Sequence, residues 1–357
     1  MTQGIAVAGA IRWVERGRVP DRLVRMGIRR LLKDRLEELG SGDRTARARR
    51  THEFVAAMRG AELAPLPAMA NAQHYELPAA FFDAVLGGHR KYSSAYWPDD
   101  AQTLDEAEAA ALALTCERAG LFDGQRVLEL GCGWGSLSLW MAERYPASRI
   151  TALSNSHGQR SFIEAKAAER GLANLEVITQ DINHFDTQQR FDRIVSVEMF
   201  EHLRNWPRAF AGIARWLAPE GRFFMHVFTH RDAPYAFEPR DESDWMSRHF
   251  FSGGMMPSDD LASLCQDELR LLERWRWEGT HYQRTAEAWL ANMDRRRPEL
   301  QALFEKTYGA DADVWWNRWR VFFMSVAELF GFSNGGQWGV SHYLFERRLQ
   351  PAAVADE

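Results

Sequence analysis

Between Ile11 and Leu39 apolar residues recur every three or four positions, which is the spacing of one helical face. Pro20 follows Val19 and Gly40-Ser41-Gly42 closes the run, so the pattern predicts two helices broken near Pro20. A third, basic helix is expected from about Arg44 to Met58, followed by a stiff connector at Ala64-Pro65-Leu66-Pro67. Pro78 to Leu86 reads as a helix with Phe81, Phe82, Val85 and Leu86 on one face, and Leu104 to Ala119 as an alanine-rich helix.

The centre of the chain changes period. Arg126 to Leu130 is a short apolar run that stops at Gly131-Cys132-Gly133-Trp134-Gly135, and a helical pattern follows over Leu137 to Glu143. Strand-like runs then recur at Arg149 to Leu153, Leu175 to Thr179, Phe191 to Val197 and Gly221 to Phe228. Strands alternating with helices predict an α/β fold with a doubly wound parallel sheet, whose ligands bind outside the carboxyl ends of the strands. From about Asp232 to Tyr308 the pattern becomes helical and aromatic, and Ser341 to Glu346 reads as part of a closing hairpin. Four regions are therefore expected: N-terminal helices over 1–70, a ligand-binding core over 71–232, a helical and aromatic cap over 233–310, and a helix with closing strands over 311–357.

The 357 residues, 46% hydrophobic and 26% charged, exclude a disordered chain. The three cysteines lack any CxxC spacing, which argues against a disulfide framework and a zinc site. No run of about 18 uncharged apolar residues occurs, and the first residues lack the apolar core of a signal peptide, so a cytoplasmic protein is expected. Charge is segregated: residues 1–60 carry 14 Lys and Arg against 7 Asp and Glu, although the net charge is -5. The basic arm suits the acidic body of its own chain, and it leaves peripheral membrane contact and a homodimer surface open. Nucleic acid is disfavoured by the acidic body and by the lack of a base-binding motif.

Glycines at 131, 133 and 135 form GxGxG where backbone must turn tightly and approach a ligand closely. A dinucleotide fingerprint would need glycine at 136, where Ser136 stands. At the end of the second strand, Asn155 and Gln159 offer amides to two ribose hydroxyls. After the third, Asp181 and Ile182 suit either helix capping and core or, for an adenine-bearing ligand, acceptance of the amino group and packing on the ring. Glu198, Glu201 and His202 follow the fourth strand, and a helix beginning there would put all three on one face. Two carboxylates and an imidazole suit removal of a proton from an ammonium and stabilisation of a cationic product.

Taken together, Lys91-Tyr-Ser-Ser-Ala-Tyr-Trp97, the stretch His74 to Pro78, Leu130-Gly-Cys-Gly-Trp-Gly135, Leu153-Ser-Asn-Ser156 and Phe191 to His202 resemble the cyclopropane-fatty-acid synthase family of methyltransferases. Asp244 to Phe251, Phe304 to Gly309 and Ala327 to Gly331 make the chain most similar to the branch of plant coclaurine N-methyltransferase. The resemblance implies a Rossmann-like class I fold that uses S-adenosylmethionine, with N-terminal helices and a helical insertion covering the substrate. It implies that Tyr92, Ser93, Gly131, Gly133, Asn155, Gln159, Asp181 and Ile182 hold the cofactor. Lipid-modifying members hold bicarbonate as base at positions matching Ser94, Glu201, His226, Phe228 and Tyr282, of which Ser94 and Phe228 depart from the usual Cys and Ile. The alkaloid branch uses glutamates and a histidine matching Glu198, Glu201 and His202.

The expected activity is N-methylation of a small amine with an aromatic or apolar portion, with Glu201 and His202 as acid-base groups and Glu198 as electrostatic support. The alternative is methylation of an unsaturated lipid with bicarbonate as base. Phe322 and its aromatic neighbours suit a wall for a flat amine or a lipid chain. Glu328, in an apolar helix, suits either an anchor for a substrate cation or a structural ion pair, and His226 either a substrate contact or a satisfied core histidine.

Overall fold

The computed structural model describes residues 2–40, 44–65, 77–238 and 244–348, so His74, Tyr75 and Glu76 of the motifs above and the end of the connector lie outside the described residues. Its centre is a seven-stranded sheet in the order β3-β2-β1-β4-β5-β9-β8, built from β1 (Arg126–Leu130), β2 (Arg149–Ser154), β3 (Leu175–Thr179), β4 (Phe191–Val197), β5 (Leu217–His230), β8 (Leu269–Glu278) and β9 (Trp338–Arg347). The first five strands are parallel, and β9 runs antiparallel between β5 and β8. Strand order reverses between β1 and β4, the position where doubly wound sheets open a crevice for ligands. Two short strands, β6 (Tyr235–Ala236) and β7 (Met255–Met256), pair separately.

Helices cover both faces. Leu128, Leu130, Phe223, Met225 and Val227 of the sheet pack against Trp206, Phe210 and Ile213 of the helix Trp206–Trp216 and against Val55 and Met58 of the helix Arg44–Arg59. A second cluster joins the helices Ala79–Val85, Thr280–Arg295 and Ala312–Gly331 through Phe81, Phe82, Trp289, Trp319 and Phe323. The helix Leu104–Ala119 starts in a capping box of Thr103 and Glu106 and stops at Gly120, at φ 63°.

One expectation needs correction. The stretch 233–310 is not helical throughout, because Leu269–Glu278 forms the outer strand of the main sheet. Its arginines and glutamates alternate with leucine and tryptophan, the period of a strand with one wet face. Charged residues at half the positions hide such a strand from a search for apolar runs.

The basic arm meets the acidic body of its own chain. Arg25 pairs with Glu287 at 2.6 Å, Arg35 with Asp244 at 3.3 Å and Arg47 with Asp232 at 3.1 Å. In return Glu15 accepts from Arg318 at 2.9 Å and Asp21 from Arg320 at 2.6 Å. The last two pairs fasten the first two helices, Thr2–Glu15 and Asp21–Glu38, along the helix Ala312–Gly331. No helix among the described residues is long and apolar enough to cross a membrane.

Candidate active site

The carboxyl end of β1 makes the glycine turn. Gly131, Gly133 and Gly135 all have positive φ, at 76°, 51° and 80°. A Cβ on Gly131 would lie 2.7 Å from the Met199 side chain and one on Gly135 2.7 Å from Ile163 Cγ1, whereas one on Gly133 would meet nothing within 4 Å. Two of the glycines thus serve packing, and the third keeps backbone open toward the cleft. Tyr92, Ser93, Gly131, Gly133 and Glu198 line that cleft together, so the structure brings the glycine turn, the 91–94 loop and the acidic group to one place. Lys91, missed from the sequence, holds the loop by donating to Ser93 Oγ and to the Ser94 carbonyl, each at 2.6 Å. Burial pulls its ammonium down to about 8.

Around this cleft several buried polar atoms have no hydrogen-bond partner among the described residues: Ser136 Oγ, Gln159 Nε2 and Thr179 Oγ1. Gln159 Oε1 is already taken by Ser154 Oγ at 2.6 Å, so its spare donor is the amide NH2. Unmade bonds at the ends of β1, β2 and β3 are costly unless a polar ligand makes them. This donor set fits a ligand with sugar hydroxyls and an amino-acid end, as S-adenosylmethionine is. Asn155 is exposed at the tip of the second turn, while Asp181 binds the backbone amide of Asn183 at 2.8 Å and Ile182 is half-buried behind it.

After β4 the chain does not begin an α-helix. Glu198 sits in left-handed backbone at φ 46°, its amide donating to the His226 carbonyl at 2.9 Å, and Phe200–His202 is a single 3-10 turn. The reversal at residue 198, rather than helical spacing, is what turns the three side chains inward. The Glu198 carboxylate is cradled: Oε1 accepts from the Ser94 amide at 2.8 Å and faces His226 Nε2 at 3.1 Å, and Oε2 accepts from the Tyr282 hydroxyl at 2.7 Å. Burial raises its pKa, and Lys91, the Ser94 amide and the Tyr282 hydroxyl oppose that rise.

Glu201 is fully buried, and no side chain among the described residues bonds its carboxylate, on which only the backbone amides of Glu201 and Phe228 bear. Burial first and the neighbouring Glu198 second push its pKa well above the usual carboxylate range. His202 is pushed down to about 4 by burial and is therefore neutral at pH 7. Its ring stacks on Phe251, with centroids 5.2 Å apart and planes 10° apart.

Aromatic rings wall the far side. Phe228 touches Phe251 at 5.7 Å and Phe330 at 6.2 Å between centroids, Phe237 meets Phe251 at 5.4 Å, and Tyr282 stacks on Phe330 at 4.3 Å. Phe237 and Phe330 were not singled out from the sequence, since an aromatic residue in an apolar stretch reads as core. Phe322 is buried and stacked on Phe250 at 4.4 Å, in the layer behind this wall. Glu328 is engaged in ion pairs: Arg29 Nε approaches at 2.5 Å and Arg25 Nη1 at 3.0 Å. Of its two readings, the structural pair is the one the geometry supports.

The family model for mycolic acid cyclopropane synthetase matches residues 66–333. The (S)-coclaurine N-methyltransferase of Papaver somniferum is 33% identical over 342 residues, 95% of this chain and 97% of that protein. The enzyme of the same name from Thalictrum flavum subsp. glaucum is 39% identical over 281 residues, 77% and 78% of the two chains. A crystal structure of coclaurine N-methyltransferase bound to N-methylheliamine and S-adenosylhomocysteine superposes with a TM-score of 0.93 at 34% identity, covering 96% of this chain and 99% of that one. The chain belongs to the mycolic acid cyclopropane synthetase family. It is an S-adenosylmethionine-dependent methyltransferase with the class I fold.

Proposed function

We propose that this methyltransferase transfers a methyl group to the nitrogen of a small amine that carries an aromatic or apolar portion. The observation that carries this reading is the seat of the Glu198 carboxylate. Ser94, His226 and Tyr282 belong to the anion site that the resemblance assigns to bicarbonate in lipid-modifying members. Here their donors are engaged by a carboxylate of the chain itself. A dissolved anion would have to displace Glu198, and the fixed negative charge instead favours a nitrogen that becomes cationic on methylation.

Bound S-adenosylmethionine supplies the electrophilic methyl group. The residues of the chain prepare the nucleophile. An alkylamine is mostly ammonium near pH 7, and its nitrogen must lose a proton before it can attack. Two buried carboxyl groups resist being ionised together, but an ammonium entering between them reverses that balance. Glu201 is then a strong base in a dry setting, and neutral His202 beside it is a second acceptor. Phe228, Phe237, Phe251, Phe330 and Tyr282 enclose the apolar part of the acceptor and present ring faces to the methylated cation.

The test is mass spectrometry after incubating the protein and S-adenosylmethionine with a pool of arylalkyl and cyclic amines and, separately, with unsaturated phospholipid vesicles. A mass gain in the amine pool is expected. Replacing Glu201 with Ala lowers turnover roughly 100-fold or more, the contribution typical of a general base, while S-adenosylhomocysteine affinity stays within about twofold. Gain in the lipid pool alone, or full turnover in Glu201→Ala, overturns the reading.

A further inference from the structure

Behind Glu198 lies a line of polar groups, two buried histidines and a half-buried arginine, that the reaction does not touch. His226 Nε2 faces Glu198 Oε1 at 3.1 Å, His226 Nδ1 faces His342 Nε2 at 2.9 Å, and His342 Nδ1 faces Arg118 Nη1 at 3.0 Å. Both rings are fully buried. His226 on β5 and His342 on β9 are register partners across the antiparallel pair, so the sheet itself sets their separation. Arg118 reaches them from the last turn of the helix Leu104–Ala119, with its guanidinium 5.0 Å from the Trp275 ring and 6.0 Å from the Trp277 ring. Trp277 also packs against His342 at 4.5 Å and His226 at 5.3 Å.

We propose that Arg118 and His342 are positioning residues which, through His226, lock a one-way hydrogen-bond chain onto Glu198. The direction follows from donor arithmetic. Arginine donates and has no acceptor, so His342 Nδ1 must accept. A neutral imidazole has one donor and one acceptor, so the His342 proton sits on Nε2 and is donated to His226 Nδ1. The same rule places the His226 proton on Nε2, donated to Glu198. One tautomer of each neutral ring satisfies all three bonds.

Any added proton breaks this order. A protonated His226 would present a donor to the His342 donor, and a protonated His342 would oppose Arg118. The charged groups facing the pair give the same result: Lys91 and Arg118 bear on both rings, and burial disfavours either cation. Glu198, the one anion bonded to His226 among the described residues, lies at the far end of the chain and receives its donor. Neither histidine is therefore a base in the reaction. The pair keeps a hydrogen bond on one oxygen of Glu198, and the proton released by the amine is left to Glu201 and His202. This proposal rests on the role given to Glu198 above, but the first test below does not require turnover.

The experiment is proton–nitrogen correlation NMR on the full chain labelled with 15N-histidine, saturated with S-adenosylhomocysteine, from pH 5.5 to 8.5. Assignments come from His226→Gln and His342→Gln. Both rings are expected as neutral Nε2–H tautomers that do not titrate across this range. An Nδ1–H tautomer or a titrating ring at either position overturns the proposal, whether or not an amine substrate has been found. The second test uses turnover: Arg118→Met lowers kcat about tenfold, the equivalent of one hydrogen bond to a charged group, with amine KM within about twofold, and Arg118→Lys restores most of the loss. Equal kcat in Arg118→Met, or a loss that Lys does not restore, also counts against it.

Discussion

Replacing Glu198 with Gln isolates the charge of the proposed anionic wall from its shape. The amide oxygen of Gln can still accept from the Ser94 amide and His226 Nε2, and its NH2 can donate to the Tyr282 oxygen, so each partner now at 2.7–3.1 Å keeps a bond. One negative charge is lost. Against a nitrogen about 5 Å away at an effective dielectric of about 20, that charge stabilises a cation by about 3 kcal/mol. The expected fall in kcat is therefore roughly 200-fold. Stability moves the other way. Burial raises the folded-state pKa of Glu198 above its ordinary 4.5, so the burial is tolerated in full below that pH and stability is lost as pH rises through the folded value. The Gln variant escapes that loss, and its Tm at pH 8 should equal or exceed that of the parent. The assay is methylated-amine formation at saturating cofactor, with calorimetric titration of S-adenosylhomocysteine and Tm on the same preparations. A kcat within threefold of the parent, or a fall matched by weaker cofactor binding, would refute the reasoning.

Gly133→Ala should fold, because its Cβ meets nothing within 4 Å, yet left-handed backbone and the new methyl in the cleft should weaken S-adenosylhomocysteine roughly tenfold by calorimetry. Glu328→Gln removes the carboxylate charge from Arg29 and from Arg25, which keeps its pair with Glu287, and should cost about 1 kcal/mol in denaturant unfolding, with kcat unchanged. Burial raises Glu129 to about 7, against a hydrogen bond from Ser138 that opposes the rise, so stability is lost as pH climbs from 4.5 through 7. Glu129→Gln in the cofactor-free protein should accordingly raise Tm more at pH 8 than at pH 5.5; equal shifts at the two values would contradict the assignment.

The first four strands were legible because each is a short apolar run, and β1 ends in glycines that permit only a turn. Leu104–Ala119 is the alanine-rich helix expected over those residues, and the structure adds that Thr103, Glu106 and Gly120 mark its ends. Local signals of this kind stop at the site. That Glu198, Glu201 and His202 converge could be read from their spacing, but the means could not: the helix expected there is a 3-10 turn preceded by a positive φ on a glutamate, which no propensity favours. Glu328 had two readings because its partners stand about 300 residues earlier. Arg118 and His342 are 224 residues apart, joined only by how the sheet closes.

Glu198 combines two features that folding normally avoids, left-handed backbone on a residue with a side chain and a carboxylate shut away from water. An anion captured from solution surrenders translational freedom at every turnover and arrives in proportion to its supply. One attached to the chain is ordered once, when the protein folds, and its local concentration no longer depends on the medium. The burden is transferred to the native state, about 1 kcal/mol for the backbone alone. Variation that relieves this point will thus tend to yield a sturdier protein and a poorer catalyst, while the aromatic wall, which bears no such strain, remains free to change with the acceptor.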